Sequence, residues 1–170
     1  MEIKGIDVSA WQGKIDWKTV ADYGMGFAIL RITEQGNKVD SQFENNYIKC
    51  KNYGIPVGVY KYSYAKTAAQ AQEEAEAVLN VLNGRKIQFP VFYDLEWSEQ
   101  RSLGKTAIEK IAVAFLEKIQ AAGYKVGVYC NVDWYNEVLT DGLKKYDLWI
   151  GRYTAYVDGW IQVRLRPDFG

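Results

Sequence analysis

The feature that most constrains the fold of this chain is the regular order of its predicted elements. Short runs of apolar and β-branched residues alternate with amphipathic stretches, as expected for strands that are followed by helices. A glycine is predicted at each point where a helix ends and the chain leads into the next strand: Gly24, Gly54, Gly84, Gly123 and Gly142. This alternation predicts an α/β protein with a mainly parallel sheet, either doubly wound or closed into a barrel. Because no G-x-G-x-x-G or phosphate-binding loop opens a predicted helix, a barrel-like fold is favoured.

The predicted elements cover most of the chain. Strands are expected over residues 3–8, 26–33, 55–64, 87–97, 124–130 and 146–153. Helices are expected over residues 16–23, from 40 or 41 to 53, and over 67–82, 106–122 and 134–139. Thr106 and Glu109 have the spacing of a capping box, which predicts the start of the fourth helix.

The strand predicted over residues 87–97 ends in two carboxylates, Asp94 and Glu96, which is unusual for a buried strand. Side chains two apart on a strand point to the same side, roughly 6–7 Å from each other. On an apolar, aromatic surface the two cannot both ionise freely, so one should retain its proton to higher pH. An acid beside a base is what hydrolysis of a glycosidic bond requires. The alternative is a strand end whose carboxylates cap the next helix or pair with surface lysines.

The ends of the other predicted strands carry further acids and aromatic residues. In parallel barrels the carboxyl ends of the strands share one rim, and active sites lie there. The residues predicted at this rim are Asp7, Glu34, Tyr60, Tyr62, Asp94, Glu96, Tyr129 and Trp149. Aromatic side chains of this kind line sites that stack on flat ligand faces, so the rim is a candidate binding groove.

Composition narrows the possible functions. The length of 170 residues predicts one domain, and 21 acidic against 21 basic residues gives no basic excess for binding nucleic acid. No apolar run approaches the length of a membrane span. We also expect the protein to be a monomer. Histidine is absent, which excludes Ser-His-Asp and Cys-His catalysis and the usual zinc sites. Cys50 and Cys130 are expected to be buried thiols, with one disulfide as the alternative.

Several segments strongly resemble one family. Residues 5–13, Gly-Ile-Asp-Val-Ser-Ala-Trp-Gln-Gly, followed by Ile-Asp-Trp at 15–17, resemble the opening of the family 25 glycoside hydrolases, the Chalaropsis-type lysozymes. The resemblance continues in order to about residue 153, through Thr33-Glu34, Asp40, Phe43, Asn46, Gly58-Val59-Tyr60, Asp94-Leu95-Glu96, Gly127-Val128-Tyr129 and Leu148-Trp149-Ile150.

This resemblance implies a β-1,4-N-acetylmuramidase that cuts bacterial peptidoglycan between N-acetylmuramic acid and N-acetylglucosamine, without a cofactor or metal. The implied fold is an irregular, flattened (β/α) TIM-like barrel with fewer helices than strands. Glu96 would be the general acid, and Asp94 would act as a stabilising carboxylate or orient the N-acetyl group of the substrate. The implied groove residues are Asp7 and Glu34, with Tyr60, Tyr129 and Trp149 contacting sugar and Tyr62 beside them on the rim.

The last residues depart from the family pattern. Family members continue to a strand with a Trp-Gln-Tyr-like motif and then to an Asp-x-Asn segment, whereas here only Trp160-Ile161-Gln162 resembles the strand. Residues 154–170 are therefore interpreted as a shortened or diverged tail of a single domain, 1–170, with its closing strand missing or altered. This departure keeps a peptidoglycan-binding or inactive lysozyme-like domain open as an alternative. A chitinase-like N-acetylhexosamine hydrolase is another, because that class shares the Asp-x-Glu strand end.

The expected location follows from the implied substrate, which lies outside the cytoplasmic membrane. Met1 is followed closely by the charged Glu2, Lys4 and Asp7, so no signal peptide is predicted. An extracellular protein, or a phage or prophage endolysin that reaches the cell wall through a partner pore, is therefore expected.

Overall fold

The computed structural model describes residues 3–151 and 162–164. Its centre is one seven-stranded sheet whose strands are hydrogen-bonded in chain order, and the first six strands are parallel and form a curled half-barrel. The strands are β1 (Gly5–Val8), β2 (Phe27–Thr33), β3 (Val57–Tyr62), β4 (Val91–Asp94), β5 (Val126–Asn131), β6 (Asp147–Gly151) and β7 (Gln162–Arg164). The predicted α/β class and the mainly parallel sheet are confirmed.

Helical segments join each of the first five strands to the next. They are α1 (Trp17–Asp22), α2 (Phe43–Asn52), α3 (Ala68–Leu82), α4 (Ser98–Arg101), α5 (Lys105–Ala121), α6 (Val132–Glu137) and α7 (Asp141–Lys144). Single turns of 3-10 helix cover Ala10–Gln12 and Gln35–Asn37.

The two faces of the sheet differ in what covers them. The outer face presents valines such as Val59, Val91 and Val128 to the apolar sides of the helices, and this is the main core. Tyr93 belongs to the same face, and its ring stacks on that of Phe115 from α5 with centroids 3.9 Å apart. The inner face holds a smaller cluster: Phe27, Ile29, Phe92, Tyr129 and Trp149, with Tyr60 and Phe89 partly buried against it. Apolar residues on both faces explain why the strands read as nearly continuous hydrophobic runs.

The predicted strands and helices are found, most with ends shifted by one to three residues, and three predictions are wrong. Gly142 lies inside α7 rather than after a helix, whereas the four other glycines follow helices with positive φ. Thr106 does not cap α5, because the helix already begins at Lys105 after Gly104, which has φ of 90° and gives no side-chain cap. The strand predicted over 87–97 is only β4: Gln88 and Phe89 both donate to the Val57 carbonyl before it, and α4 begins shortly after it. Glu96 therefore follows the strand.

The two cysteines are buried and free, so the disulfide alternative is wrong. Burial raises the pKa of each thiol to about 12. None of the helices in the part of the chain that the structure describes is long and apolar enough to cross a membrane.

At the far edge of the sheet, β7 pairs with β6 in antiparallel orientation, with Trp149 opposite Val163. Gln162, one of the three residues that resemble the family's last strand, thus begins a strand, and an altered strand follows β6. Trp160, Ile161 and the rest of the predicted tail over 154–161 and 165–170 lie outside the described residues.

Gly127 tests how tightly the sheet is packed. A Cβ atom there would lie 2.6 Å from the Phe92 ring and 2.9 Å from the Asp147 carbonyl oxygen, and the backbone cannot move away easily. We expect Gly127→Ala to lower the free energy of unfolding by about 1–3 kcal/mol, the usual cost of overpacking. Urea unfolding measures this, with Ala121→Ser on the exposed end of α5 as a control that should change stability by less than about 0.5 kcal/mol. Equal stability of Gly127→Ala and the wild type would contradict this packing.

Candidate active site

The register of the sheet brings most of the predicted rim residues to its inner face. Tyr62 of β3 lies opposite Asp94 of β4, Asp94 lies opposite Tyr129 of β5, and Tyr129 lies opposite Trp149 of β6. Partners in a parallel register point to the same face, so these four side chains form a row across the sheet. The row is a direct result of parallel pairing between strands that lie far apart in the chain.

Asp94 is the one acid of this row, and only 5% of its surface is exposed. Burial raises its pKa well above the usual value; a hydrogen bond with the Glu96 carboxyl and the charges of Glu96 and Asp7 raise it further. Its Oδ1 atom is buried and has no hydrogen-bond partner. The sequence predicts that one carboxyl of the pair retains its proton, and the structure assigns this behaviour to Asp94.

Asp7, at the end of β1, is the third acid of the group. Burial raises its pKa, the negative charge of Glu96 adds to the effect, and a backbone hydrogen bond opposes it. Because Glu96 acts on both Asp7 and Asp94, the three carboxyls lie close enough to repel one another. Because the pKa values of Asp7 and Asp94 are both raised, these two carboxyls hold less negative charge than two free acids would.

Tyr60 lies beside these acids. Burial raises the pKa of its phenol above the usual value, the charges of Asp7 and Asp94 raise it further, and a hydrogen bond with Ser9 opposes them. The phenol therefore stays neutral and can donate a hydrogen bond. Its ring meets Trp149 edge to face with centroids 5.8 Å apart, which holds it against the inner cluster.

Tyr129 and Trp149 are buried in the inner cluster rather than exposed in the groove. Only 7% of Tyr129 and 3% of Trp149 is exposed, and their rings meet edge to face at 4.6 Å. Trp149 also packs against Phe92 at 5.4 Å, and its Nε1 donor has no hydrogen-bond partner. The two rings thus form the apolar floor that desolvates the carboxyls.

Glu34 is held at the side of this group by an arginine. Its carboxylate lies 3.6 Å from the guanidinium of Arg31, and Arg31 Nε donates to Asp40 Oδ2 at 2.6 Å. Asp40 also accepts hydrogen bonds from the backbone N–H groups of Ala10 and Gln42. This buried carboxylate therefore ties the loop after β1 to the loop after β2.

Sequence reasoning missed Arg31 and Ser9 as members of the site. Arg31 is the one charged residue in the otherwise apolar strand β2, a signal that marks a functional or structural ion pair. Ser9 gave no such signal, because a serine before a helical turn is already explained as the cap of that turn, which it is here.

Two further aromatic side chains extend the inner surface from Tyr62 at the end of the row; we call Tyr62, Tyr64 and Trp97 the aromatic wall. The rings of Tyr62 and Tyr64 lie 4.7 Å apart, and Tyr64 meets Trp97 edge to face at 5.4 Å. Burial raises the pKa of the Tyr64 phenol, and the charges of Asp94 and Glu96 contribute to the rise. The wall therefore lies within electrostatic range of the acid pair.

The chemistry available here is that of carboxyl groups. Among residues 3–151 and 162–164, no group of three or more His, Cys, Asp or Glu side chains has the arrangement of a metal site. A deep carboxyl that retains its proton, a second carboxyl bonded to it and a neutral phenol can together donate protons and bind hydroxyl or amide groups.

The protein is an α/β half-barrel with carboxyls and aromatic residues at the carboxyl ends of its strands. It therefore belongs to the class of barrel-like α/β proteins with an acidic site at the rim. Within that class, this chain belongs to the glycosyl hydrolases family 25, whose model matches residues 6–163.

Individual relatives agree with this assignment. An autolytic lysozyme of Clostridium acetobutylicum is 28% identical over 153 residues, which are 89% of this chain and 45% of that protein. The modular autolysin LytC of Streptococcus pneumoniae, solved with a synthetic peptidoglycan ligand, superposes with a TM-score of 0.80 at 26% identity, over 95% of this chain and 45% of that one. A family 25 glycosyl hydrolase of Bacillus anthracis superposes with a TM-score of 0.76 at 26% identity, over 88% of this chain and 70% of that one. The chain spans about half the length of the curated relatives it matches.

The raised pKa of Asp94 makes a prediction for stability. An acid whose pKa is higher in the folded than in the unfolded protein stabilises the fold fully below its unfolded pKa, and this contribution is lost as the pH rises through the folded pKa. Asp94→Asn keeps a neutral group that can donate to Glu96 and removes this loss. The free energy of unfolding of the wild type should thus fall more steeply than that of Asp94→Asn as the pH rises from about 4. Urea unfolding at a series of pH values measures both slopes, and parallel curves would contradict the prediction.

Proposed function

We propose that this chain is a muramidase that hydrolyses the β-1,4 linkage between N-acetylmuramic acid and N-acetylglucosamine in bacterial peptidoglycan. The observation that carries the proposal is the hydrogen-bonded pair of Asp94 and Glu96 at the rim of a family 25 fold, in which burial raises the pKa of Asp94. Glycosidic cleavage requires an acid that delivers a proton to the leaving oxygen and a negative group that stabilises the developing positive charge.

Glu96 is the general acid in this proposal. It is more exposed than Asp94 and follows the end of β4, where a substrate on the rim can reach it. The proton held by Asp94 passes through the hydrogen bond to Glu96, which delivers it to the glycosidic oxygen. The carbon–oxygen bond breaks with its electron pair leaving on that oxygen, and water adds to the anomeric carbon. The proton released by this water returns to the carboxyl pair, which restores the starting state.

Asp94 works on the same side of the bond as Glu96. Carboxyls that act from opposite sides of a sugar lie about 5–5.5 Å apart in retaining and about 6.5–9.5 Å apart in inverting enzymes. The direct hydrogen bond between Asp94 and Glu96 places them closer than either arrangement. This favours a role in orienting the N-acetyl group of the substrate, because Asp94 Oδ1 is left without a partner, over a role as an opposing nucleophile.

The remaining site residues are assigned to substrate binding. Asp7 and the neutral phenol of Tyr60 offer an acceptor and a donor beside the acid pair, and Glu34 lines the side of the groove near Arg31. Tyr62 presents a half-buried ring for stacking on a sugar. Tyr129 and Trp149 contribute mainly the floor, because little of either ring is exposed.

We further propose that the curled sheet is part of an irregular, flattened (β/α) barrel and that residues 1–170 form one catalytic domain with an altered tail. The domain would act as a monomer on the cell wall, outside the cytoplasmic membrane, as an extracellular or endolysin-type enzyme. The relatives support this, since one is named an autolytic lysozyme and another was solved with a peptidoglycan ligand. Acid catalysis by carboxyls of this kind needs no metal or cofactor.

Replacement of Glu96 tests the proposal. We expect Glu96→Gln to lower the rate of release of new reducing ends from purified peptidoglycan by a factor of about 100 or more, because general acid catalysis contributes about 10²–10⁴-fold. The melting temperature should stay close to that of the wild type, since Gln preserves the size of the side chain. Glu99→Gln on the neighbouring helix α4 is the matched control: Glu99 is exposed, pairs with Lys66 and should be dispensable for activity.

The same assay separates the alternatives. A preference for chitin oligomers over peptidoglycan would favour a chitinase-like hydrolase. Binding of peptidoglycan fragments without any new reducing ends from the wild type would favour a binding domain. Nearly full activity of Glu96→Gln would remove Glu96 from its assigned role.

A further inference from the structure

The aromatic wall beside the acid pair includes a residue of the loop between β3 and α3. Residues 63–66 connect β3 to α3, and Tyr64 at their centre meets Trp97, the residue after Glu96. The Ser63 N–H donates to the backbone carbonyl of Asp94 at 3.0 Å, so this loop is joined directly to the strand that carries the pair. A shift of the loop would therefore change the space between the wall and Glu96.

Buried polar side chains from other elements hold this loop from below. Gln100 of α4 is completely buried, and its Nε2 donates to Ser63 Oγ at 2.8 Å and to the Ala65 carbonyl at 2.7 Å. Ser63 Oγ in turn donates to the hydroxyl of Tyr93 on β4 at 2.7 Å. The α4 helix that follows Glu96 and the loop that carries Tyr64 are thus fixed to each other through a buried network.

Glu74 supports the same loop from α3. It is only 5% exposed, and its Oε1 accepts the Tyr64 N–H at 3.1 Å, while the neighbouring Ala65 N–H donates to Ser63 Oγ at 3.4 Å. Burial raises the pKa of Glu74 to about 7, with the nearby Lys61 charge and these two N–H donors opposing the rise. Ser63, Glu74, Tyr93 and Gln100 together form what we call the polar clamp.

The polar clamp is costly for the fold. Glu74 Oε2 and Gln100 Oε1 are both buried without a hydrogen-bond partner. A buried unsatisfied polar atom costs about 1–3 kcal/mol, and an apolar residue of similar size is often no less stable at such a position. Stability alone therefore does not explain why a glutamate and a glutamine lie under this loop. Fixing a loop of the site in one geometry does explain it.

We propose that Glu74 and Gln100 are positioning residues of the active site, which hold the aromatic wall in register with Glu96 so that a sugar ring can bind between them. The proposal rests on the proposed function of the site. Neither side chain touches the substrate, and both act through the loop 63–66 and the wall. Their loss should weaken substrate binding at the wall more than it slows the chemical step.

The test compares Glu74→Leu and Gln100→Leu with Glu74→Gln, which keeps the accepting oxygen for the Tyr64 N–H. We expect each Leu variant to raise KM for soluble peptidoglycan fragments about tenfold, the equivalent of about 1.4 kcal/mol of binding free energy, with kcat changed less than about threefold. Glu74→Gln should stay within about threefold of the wild type in both constants. Glu73→Leu, at the exposed neighbouring position, is the matched control and should leave KM unchanged.

A second measurement does not depend on turnover. In the Glu96→Gln background, the dissociation constant of the same fragments should rise about tenfold on adding Gln100→Leu or Glu74→Leu, and it should stay the same on adding Glu73→Leu. Thermal unfolding identifies the folded variants, and if one Leu variant fails to fold, the other still decides. Wild-type KM and affinity in a folded Leu variant would overturn the proposal. Absence of reducing ends from the wild type would instead overturn the proposed function, while the binding measurement would still test the clamp.

Discussion

The site depends above all on the burial of one carboxyl group, that of Asp94. Between Tyr62 and Tyr129 in the register of the sheet, and next to Glu96, this carboxyl has lost its water and gained a second carboxyl as its partner. Both changes favour the protonated form, so a proton is kept where an ordinary surface aspartate would have released it. The inner cluster below provides the dry surroundings, and the rim above provides access to a substrate. The position of the acid pair on this boundary is what the proposed proton delivery requires.

Parallel pairing explains how so short a chain assembles such a site. Asp7, Tyr60, Asp94 and Trp149 come from four strands, and each lies on the inner face because side chains alternate along a strand. Glycine at position 127 leaves room for the Phe92 ring on the next strand, which lets the inner cluster fill the curl of the sheet. The carboxyl ends of the strands then meet at one rim. The helices that the structure describes pack on the outer face, and within residues 3–151 the inner cluster consists of side chains from the strands and from Phe89 just before β4.

Comparison of particular residues shows what local patterns can predict. The alternating elements, the glycine ends at Gly24, Gly54, Gly84 and Gly123, and the acid pair were predictable because each depends on residues that are close in sequence. The capping box at Thr106 was wrong because Gly104 turns the chain two residues earlier, a feature that the capping pattern does not contain. The burial of Tyr129 and Trp149 was not predictable either. A ring at the end of a strand looks the same in a sequence whether it lies in the groove or beneath it.

The sequence by itself determined the class of fold, because periodicity and turn residues are local properties, and the resemblance of several segments indicated the family. The spacing of Asp94 and Glu96 predicted that these two carboxyls lie together. Only the tertiary structure decided which carboxyl of the pair keeps the proton, since that depends on how deeply each is buried and on the charge of Asp7 from another strand. It also decided that Arg31 pairs with Asp40 and that Glu74 and Gln100 meet under one loop. These contacts join residues that are distant in the chain, and the free energy of each depends on a burial that no local pattern specifies.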